Sequence, residues 1–329
     1  MRKYQPKLKE FDTQSAIALV KDKFQAELCD LLELSRVSAP LFVKTGSGIN
    51  DDLNGVERPV SFDMLETGQM AEVVHSLAKW KRMALLKYNF PMHKGLYTDM
   101  NAIRRDETCD NIHSIYVDQW DWEKIITAED RNEEYLKATV RDIYTAVLRT
   151  EKAVCEAFPV IEAKLPKEIF FITTLELEEK YPDLTPKERE YAITKEYGAV
   201  FLMKIGGRLK NGEKHDGRAP DYDDWDLNGD ILIYNDVIDT AFEISSMGIR
   251  VDRESLLKQL KAENKEERIK YQFHSMLLSG ALPLTIGGGI GQSRLCMLLL
   301  QKAHIGEVQV SIWPEKEILK CKEMGIELL

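Results

Sequence analysis

The sequence predicts an α/β (α+β) fold, in which helices and strands share one chain of 329 residues. Two periodicities support this prediction. Apolar residues recur at steps of three and four in some segments, as in helices, and at steps of two in others, as in strands. A hydrophobic fraction of 44% is enough for a sizeable core, and the length allows one large domain or two smaller ones.

The N-terminal region predicts a helix followed by an edge segment. Residues 13–32 place apolar side chains on one helical face, and Asp12 and Thr13 are candidate caps. Residues 35–43 favour a strand, but Pro40 cannot donate to a central ladder. We therefore expect this segment at a sheet edge or a subunit interface.

The central region predicts two antiparallel strands between helices. Residues 73–82 pass from strand character into a helix that continues to about Tyr88. Residues 100–107 lead across a short polar loop into residues 113–123, which alternate with period two. A long amphipathic helix is expected over residues 132–158.

The next segments continue the alternation of strand and helix. A strand is predicted at 168–173 and a buried strand at 199–205. The helix between them opens with a capping-box pattern from Thr185 to Glu188, has proline at its first position and ends near Gly198.

The C-terminal third begins with a long polar loop at 206–229, for which we expect a function because loops of this length are seldom passive connectors. Strands are predicted at 231–234 and 242–252, and helices between 254 and 279, with Gly280 as terminator.

Composition narrows the class of protein. The net charge of −10 argues against a broad nucleic-acid surface, because phosphate contacts need clustered Lys and Arg. No apolar run is long enough to cross a membrane and the first residues lack a secretory signal, so we expect a cytoplasmic protein with no membrane partner. Five cysteines without a C-x-x-C pair indicate reduced thiols and no zinc site.

Residues 285–295 form the strongest candidate site. Glycines at 287, 289 and 291 suit a strand with one face free of side chains, on which a flat ligand or another backbone lies. Arg294 follows in the first turn of an apolar helix, where its guanidinium and the helix N–H groups suit phosphate oxygens. The alternative is that these glycines only permit close packing.

Polar residues on neighbouring strands indicate two further ligand contacts. Gln119 and Asp121 project from one strand face two residues apart, which suits the amino group of an amino acid. Glu243 and Ser246 lie on a later strand, where a buried acid is costly unless paired. Glu243, with Asp230 as a further ligand, is predicted to bind Mg²⁺. A salt bridge from Glu243 to Arg250 is the alternative.

Residues 46–55 have almost nothing to bury and predict a mobile loop. A solvated turn and a lid over a small substrate are equally compatible with this composition. As a lid, the loop would bring Asp51 or Asp52 to an ammonium group.

Several of these segments resemble the motifs of class II aminoacyl-tRNA synthetases. Gly-x-Gly-x-Gly-x-x-Arg before a hydrophobic helix resembles the third motif, the two strands around Arg104 resemble the second, and residues 35–43 resemble the first, a dimer element. The resemblance implies a mostly antiparallel sheet flanked by helices in a homodimer. It also implies that Arg104 binds the α-phosphate of ATP and Arg294 the γ-phosphate.

The amino-acid site is implied by a narrower resemblance. Residues 76–81 resemble the Ser-Pro-Gln-x-x-Lys segment of aspartate-specific synthetases, whose lysine binds the amino acid, and Lys81 takes that position. The whole chain, residues 1–329 as a single domain, resembles ammonia-dependent asparagine synthetases, the aspartate–ammonia ligases. That resemblance implies synthesis of asparagine, AMP and pyrophosphate from aspartate, ATP and ammonia. The intermediate would be a β-aspartyl-adenylate.

By the same resemblance each site residue receives a role. Those for aspartate are Asp51, Lys81, Gln119 and Asp121. Those for ATP and its Mg²⁺ are Arg104, Asp223, Asp230, Glu243, Ser246, Gly289, Gly291 and Arg294. Asp51, Arg104 and Arg294 are the catalytic candidates. Only Asp226 stands between the Asp-Tyr-Asp-Asp-Trp segment and the Leu-Asn-Gly-Asp strand, where some family members carry extra residues, so the shape of this loop is left open.

The alternative function is a class II paralogue that adenylates aspartate or asparagine for transfer to RNA. The synthetase-like core begins within the first few dozen residues, so no anticodon-binding barrel is expected before it. A glutamine-using domain is not expected either, because position 2 is Arg2 and the first cysteine, Cys29, falls in a predicted helix.

Overall fold

The computed structural model describes residues 4–51 and 57–329. Within them, an eight-stranded sheet has the order β1-β5-β6-β11-β10-β9-β8-β7, and a smaller sheet has the order β2-β4-β3. The strands are β1 (Leu34–Arg36), β2 (Phe42–Lys44), β3 (Ser61–Met64), β4 (Gln69–Val73), β5 (Gly95–Ile103), β6 (Tyr116–Ile125), β7 (Phe170–Thr173), β8 (Ala199–Met203), β9 (Asp223–Asn235), β10 (Thr240–Arg250) and β11 (Thr285–Gly291).

Helices flank the large sheet. They are α1 (Glu10–Leu32), α2 (Ala78–Lys87), α3 (Glu133–Ala157), α4 (Thr174–Lys180), α5 (Pro186–Tyr197), α6 (Arg253–Ala262), α7 (Gln272–Leu278), α8 (Gln292–Leu299) and α9 (Glu315–Met324), with short 3-10 turns at Glu266–Lys270 and Ile305–Glu307. None of the helices in the described ranges combines the length and hydropathy needed to span a membrane.

The predicted fold class is confirmed, since the pairs from β5 to β8 across the middle of the large sheet are all antiparallel. Parallel pairing occurs where β1 meets β5 and where β7 meets β8, at the two edges. The segment around Pro40 gives β1, an edge strand, and β2 of the small sheet, with Pro40 between them. A proline that lacks a ladder donor is thereby kept out of both sheets.

The alternation of β6 assigns different chemistry to the two faces of the sheet. Trp120 and Trp122 are buried in the main core, where the Trp120 ring lies 4.7 Å from that of Phe24 on α1. Gln119 and Asp121 point to the opposite face, where they line a cavity. Helices α1 and α8 pack on the core side, so the period-two pattern separates a dry face from a polar one.

Side-chain caps begin α3 and α5, and of these two only the cap of α5 was predicted from the sequence. The Asn132 side chain accepts a hydrogen bond from the Tyr135 amide at the start of α3, and Thr185 and Glu188 form the capping box of α5. The predicted caps of α1 are wrong. That helix begins at Glu10 without a side-chain cap, and Thr13 is instead buried, with its hydroxyl 3.3 Å from the carbonyl of Leu8.

One further expectation requires correction. Asp223, Asp224 and Trp225 were assigned to the long polar loop, yet they begin strand β9, so the loop ends before them. Their polar composition concealed a strand because both carboxylates are paired there, Asp223 with Arg250 and Asp224 with Arg131. All five cysteines are free thiols, as expected.

Candidate active site

A cavity of about 440 Å³ opens on the polar face of the large sheet. Its walls are the loop after β5, the loop before β9, strand β10 and the start of α8. Eleven of the twelve predicted site residues line it: Asp51, Lys81, Arg104, Gln119, Asp121, Asp223, Glu243, Ser246, Gly289, Gly291 and Arg294. Residues far apart in sequence therefore share one cavity, although this placement does not test their individual roles. Asp230 does not line the cavity, and Asp52 lies outside the described residues.

The glycines of β11 form the floor of the cavity. A Cβ atom at Gly289 would stand 2.4 Å from Gln119 Oε1, and one at Gly287 would stand 2.2 Å from Glu123 Oε2. At Gly291 it would lie 3.1 Å from the Arg294 side chain. Every second position of the strand is thus free of side chains on the cavity side, which allows polar groups of the neighbouring elements to cross above it.

Arg294 stands in the first turn of α8 at one end of this floor. Its Nη1 donates to the backbone carbonyl of Glu243 at 3.0 Å and lies 3.8 Å from the Glu243 carboxylate. The side chain is 22% exposed, which leaves part of the guanidinium open to the cavity. The same end of the cavity therefore presents a cation and a partly exposed acid from neighbouring elements.

Arg104 follows β5 on the opposite wall. Its amide donates to the carbonyl of Ile115 at 2.8 Å, which fixes the backbone where the loop leaves the strand. The nearest carboxylate is that of Glu107 at 4.0 Å. Arg104 Nε is buried and has no hydrogen-bond partner in the described parts of the chain, so this guanidinium retains donors for an anion.

Lys81 is more constrained than the sequence indicated. Its Nζ lies 2.5 Å from Asp121 Oδ1 and 3.0 Å from the carbonyls of Trp122 and Gly288. An ammonium group has three donors, so each already has an acceptor. Burial is the largest influence on Lys81 and lowers its pKa, although Asp121 opposes this. A direct contact with substrate would require one of these bonds to be exchanged.

Asp121 keeps one oxygen for a ligand. Its Oδ1 holds Lys81, whereas Oδ2 is buried without a hydrogen-bond partner among residues 4–51 and 57–329. Gln119, two residues earlier on β6, lines the same cavity and is half-buried. A carboxylate oxygen and an amide side by side are suitable acceptors for an ammonium group.

Arg250 links the floor to the far wall. Its Nε and Nη2 donate to Glu123 Oε2 at 3.0 and 2.9 Å, and its Nη1 donates to Asp223. The alternative pairing of Glu243 with Arg250 is therefore wrong, because Arg250 is held by Glu123 and Asp223 while Glu243 faces Arg294. Burial alone would raise the pKa of Glu123, but Arg250 and Lys81 together lower it, which keeps this buried carboxylate ionised.

The predicted Mg²⁺ ligands differ in how well they suit a cation. Glu243 lines the cavity with a carboxylate that is 43% exposed, and carboxylate oxygens are suitable Mg²⁺ ligands. Asp230 is buried and forms an ion pair with Arg218. Burial raises the pKa of Asp230, although Arg218 opposes the shift. Glu243 therefore fits the predicted role, whereas Asp230 fits it only if Arg218 moves away.

The segment before the lid position is tied to the cavity wall. The backbone amide of His75 donates to Asn50 Oδ1 at 2.8 Å, and Lys79 Nζ donates to the carbonyl of Asn50 at 3.3 Å. Lys79 also pairs with the fully buried carboxylate of Asp221 at 3.2 Å. Asp51 is 4% exposed at the end of this segment, so its position depends on a short chain of buried polar contacts.

A second cluster away from the cavity does not have the chemistry of a metal centre. The ligand atoms of His304, Glu317 and Cys321 lie within 4.8 Å of one another. However, His304 Nδ1 accepts the amide hydrogen of Gly306 at 2.9 Å. The neutral ring then carries its proton on Nε2, the nitrogen that faces Glu317 at 3.5 Å, and a protonated nitrogen is not a metal ligand.

The family is decided by comparison with known sequences. A sequence model of aspartate-ammonia ligase matches residues 11–325. The chain is 64% identical over 329 residues to an aspartate–ammonia ligase of Clostridium tetani, covering 100% of this chain and 96% of the relative. The chain belongs to the aspartate–ammonia ligase family. A relative from Fusobacterium nucleatum with the same name is 62% identical over 318 residues, covering 97% of each chain.

Solved structures place the fold of this aspartate–ammonia ligase family member beside class II synthetases. Asparaginyl-tRNA synthetase from Pyrococcus horikoshii, complexed with asparaginyl-adenylate, superposes with a TM-score of 0.66 at 15% identity, over 92% of this chain and 70% of the other. Aspartyl-tRNA synthetase from Entamoeba histolytica gives 0.62 at 16% identity, over 90% and 58%. At these identities the likeness concerns the fold alone.

The sequence of this family member predicts no site role for several residues that line the cavity. Arg250 was considered only as a partner of Glu243, and Tyr222 was seen only as part of an acidic segment. Burial raises the pKa of Tyr222 well above its ordinary value, and the charges of Asp51 and Asp223 raise it further. The available signals were an arginine at the end of β10 and a tyrosine in the acidic segment that leads into β9, where unpaired charge is costly.

Proposed function

We propose that this protein joins ammonia to L-aspartate at the expense of ATP, giving L-asparagine, AMP and pyrophosphate. The observation that carries the proposal is the 64% identity to an aspartate–ammonia ligase across the full chain. The β-carboxylate of aspartate attacks the α-phosphorus of ATP and pyrophosphate leaves. Ammonia then attacks the acyl carbon of the β-aspartyl-adenylate, and AMP leaves with the carboxylate oxygen that it gained.

The nucleotide is proposed to lie on the glycine floor of β11. Gly289 and Gly291 leave space for the adenosine, and the two arginines flank the phosphates. Arg104, with an unused Nε, would bind the α-phosphate, and Arg294 at the helix start would bind the γ-phosphate. Both would stabilise the charge on the pentavalent phosphorus by position and electrostatics. Asp223 and Ser246, which also line the cavity, are proposed to orient the nucleotide.

Aspartate is proposed to bind between β6 and α2. The free oxygen of Asp121 and the Gln119 amide would hold its ammonium group. Because the β-carboxylate must face the α-phosphate, the α-carboxylate points the other way, towards Lys81. Because all three donors of Lys81 already have acceptors, this role requires Lys81 to give up a carbonyl contact when aspartate binds.

The proposed nucleophile is neutral ammonia, delivered from solvent. Asp51 lines the cavity beside Tyr222, and we propose that its carboxylate captures ammonium and takes one proton. Mg²⁺, held by Glu243, would neutralise phosphate charge when bound.

A homodimer is also proposed, supported by the exposure of Leu41 and Phe42 next to Pro40, in the segment that resembles a dimer motif. Light scattering in solution would test the homodimer by measuring its molar mass. The cytoplasmic location stays a prediction.

The function is tested by measuring AMP and asparagine in parallel. Purified protein with aspartate, ammonium, ATP and Mg²⁺ should form both products in equal amounts, with no requirement for RNA. A second reaction containing tRNA and lacking ammonium distinguishes the alternative function, because a tRNA-charging paralogue would form aminoacyl-tRNA there. ADP formation, or AMP without asparagine, would refute the proposal.

A further inference from the structure

A second cavity of about 310 Å³ lies outside the candidate active site. It is enclosed by the end of α3, the loop at residues 164–166, the end of β9 and the end of α8. Its volume falls within the range of small-molecule sites, roughly 300–1,000 Å³. None of its lining residues belongs to the proposed reaction site.

Two buried amides in this cavity each keep one hydrogen-bonding atom unused. Gln301 is 7% exposed and Asn235 is 2% exposed. Gln301 Nε2 donates to the carbonyl of Glu162 at 2.7 Å, and Asn235 Oδ1 accepts from the amide of Val237 at 3.1 Å. These bonds fix both amide orientations. Gln301 Oε1 and Asn235 Nδ2 are left without a partner in the described part of the chain.

An unused acceptor and an unused donor together complement a primary carboxamide, which offers an N–H donor and a carbonyl acceptor. The same cavity is lined by charged groups of both signs. The Glu151 carboxylate is 7% exposed, and its Oε1 accepts from the amides of Lys164 and Leu165 at 2.8 and 3.1 Å. Lys164 forms an ion pair with Asp236 at the rim. Leu165 and Leu298 supply apolar wall. Acid, base and amides in one small cavity match a zwitterion that carries a carboxamide.

The second cavity is connected to Arg294 through helix α8. Leu298 lies one helical turn after Arg294, on the same face of α8. Asn235 pairs with Thr240 at the turn into β10, the strand that carries Glu243. Helix α8 therefore carries Arg294 at its start and lines the second cavity at its end, whereas β10, which carries Glu243, reaches that cavity only through its pairing with Asn235.

We infer that this second cavity is an effector site for a zwitterionic carboxamide of amino-acid size, which acts on the reaction through Arg294. The choice of L-asparagine as its probe rests on the proposed function, because asparagine is the product of that reaction. A bound molecule that shifts Leu298 or Asn235 changes the position of Arg294 or Glu243. Asparagine bound there would reduce turnover without competing with aspartate.

Equilibrium dialysis with labelled L-asparagine, in the absence of ATP, tests the inference. With saturating aspartate present, the wild-type chain should still bind about one asparagine. Asn235→Asp keeps the acceptor for Val237 but replaces the free donor, and it should weaken this binding at least tenfold. The matched control is Asn211→Asp, an exposed asparagine whose Oδ1 also accepts from the amide two residues on. It should bind as wild type does.

Leu298→Phe provides a second variant, which fills the cavity without adding a charge and should also abolish the aspartate-resistant binding. Two results would overturn the inference. One is complete displacement of bound asparagine by aspartate, and the other is wild-type asparagine binding by folded Asn235→Asp and folded Leu298→Phe. AMP release by the same preparations is read separately. A chain that binds asparagine in this way yet makes none would refute the proposed function and retain the effector site.

Discussion

The guanidinium of Arg294 supplies a positive charge and a planar set of N–H donors at the α8 end of the cavity. Arg294→Lys keeps the charge and loses the fork that would grip two phosphate oxygens. We expect turnover to fall about 100-fold, corresponding to roughly 3 kcal/mol of transition-state stabilisation, with an unchanged melting temperature. Steady-state AMP release and thermal unfolding measure the two effects. Arg149→Lys, at an exposed arginine paired with Glu27, is the control. Near-normal turnover in folded Arg294→Lys would remove this residue from the site.

Lys81 has both a structural and a ligand-binding prediction. Its ammonium neutralises Asp121 in a buried pair, so Lys81→Met should lower the free energy of unfolding by about 3 kcal/mol. It should also weaken aspartate binding with little effect on ATP affinity. The double variant Lys81→Met/Asp121→Asn removes both charges and should recover much of the stability. Calorimetric titration of each ligand, combined with denaturant unfolding, separates the effects. Full recovery of aspartate affinity in the double variant would contradict a role for either residue in aspartate binding.

The placement of several residues was predictable because it follows from local patterns. The alternation of β6 placed Gln119 and Asp121 on one face, and the glycine spacing of β11 predicted a bare strand, and both are present. Partnerships across strands were not predictable. Arg218 holds Asp230, and Arg250 holds Glu123 and Asp223. These pairs depend on strand order and register, which no local pattern contains.

Gly289 and Gly287 of β11 differ in what an added side chain would contact. An added Cβ at Gly289 overlaps the end of the flexible Gln119 side chain and lies 3.3 Å from Asp121 Oδ1. At Gly287 it overlaps Glu123 Oε2 and, at 2.7 Å, the carbonyl of Trp122. Gly289→Ala should therefore fold and lose aspartate or ATP affinity about tenfold or more. Gly287→Ala should lose several kcal/mol of stability, because a buried ion pair and backbone must shift.

Gly207→Ala is the control for both glycine variants, since an added Cβ meets nothing within 4 Å there. Urea unfolding and ligand titration provide the two measurements. A Gly287→Ala protein as stable as wild type would show that the close packing of β11 on β6 is not required.

The contacts of Asp221 join α2, α7 and the turn at Glu266–Lys270. Lys79, Arg268 and His274 all lie within 3.2 Å of its Oδ2. Burial raises the pKa of Asp221, but Lys79, His274 and Arg268 outweigh it and hold the pKa well below its ordinary value. Asp221→Asn should lower the free energy of unfolding at neutral pH by about 3 kcal/mol.

We also expect the free energy of unfolding to depend on pH differently in Asp221→Asn and in the wild type. Because the folded pKa is depressed, the contribution of Asp221 is present above its unfolded pKa of about 3.9 and is lost as the pH falls below that value. Below about pH 4, wild-type stability should fall more steeply than that of Asp221→Asn, by up to about 1.4 kcal/mol per pH unit. Denaturant unfolding at several pH values measures this slope. Parallel curves would contradict the assignment of Asp221 as a buried, ionised hub.

The molecule as a whole places one polar cavity on an antiparallel sheet whose opposite face is filled by hydrophobic core. The fold class was predictable because periodicity and helix caps are local, and it matches that of solved class II synthetases. The long polar loop was harder to divide, since paired acids at Asp223 and Asp224 belong to a strand. The absence of a broad nucleic-acid surface, which we expect from the net charge of −10, stays a prediction.

We propose that the β-carboxylate of aspartate is adenylated by ATP and that free ammonia then attacks the acyl carbon and releases AMP. This proposal is tested most directly with aspartate labelled with ¹⁸O in the β-carboxylate, ¹⁵N-ammonium, ATP and Mg²⁺, followed by mass spectrometry of both products. We predict one ¹⁸O in the phosphate of AMP and one ¹⁵N in the side-chain amide of asparagine, with no asparagine when glutamine replaces ammonium. AMP without ¹⁸O, or equal rates with glutamine in a preparation free of glutaminase, would contradict the account.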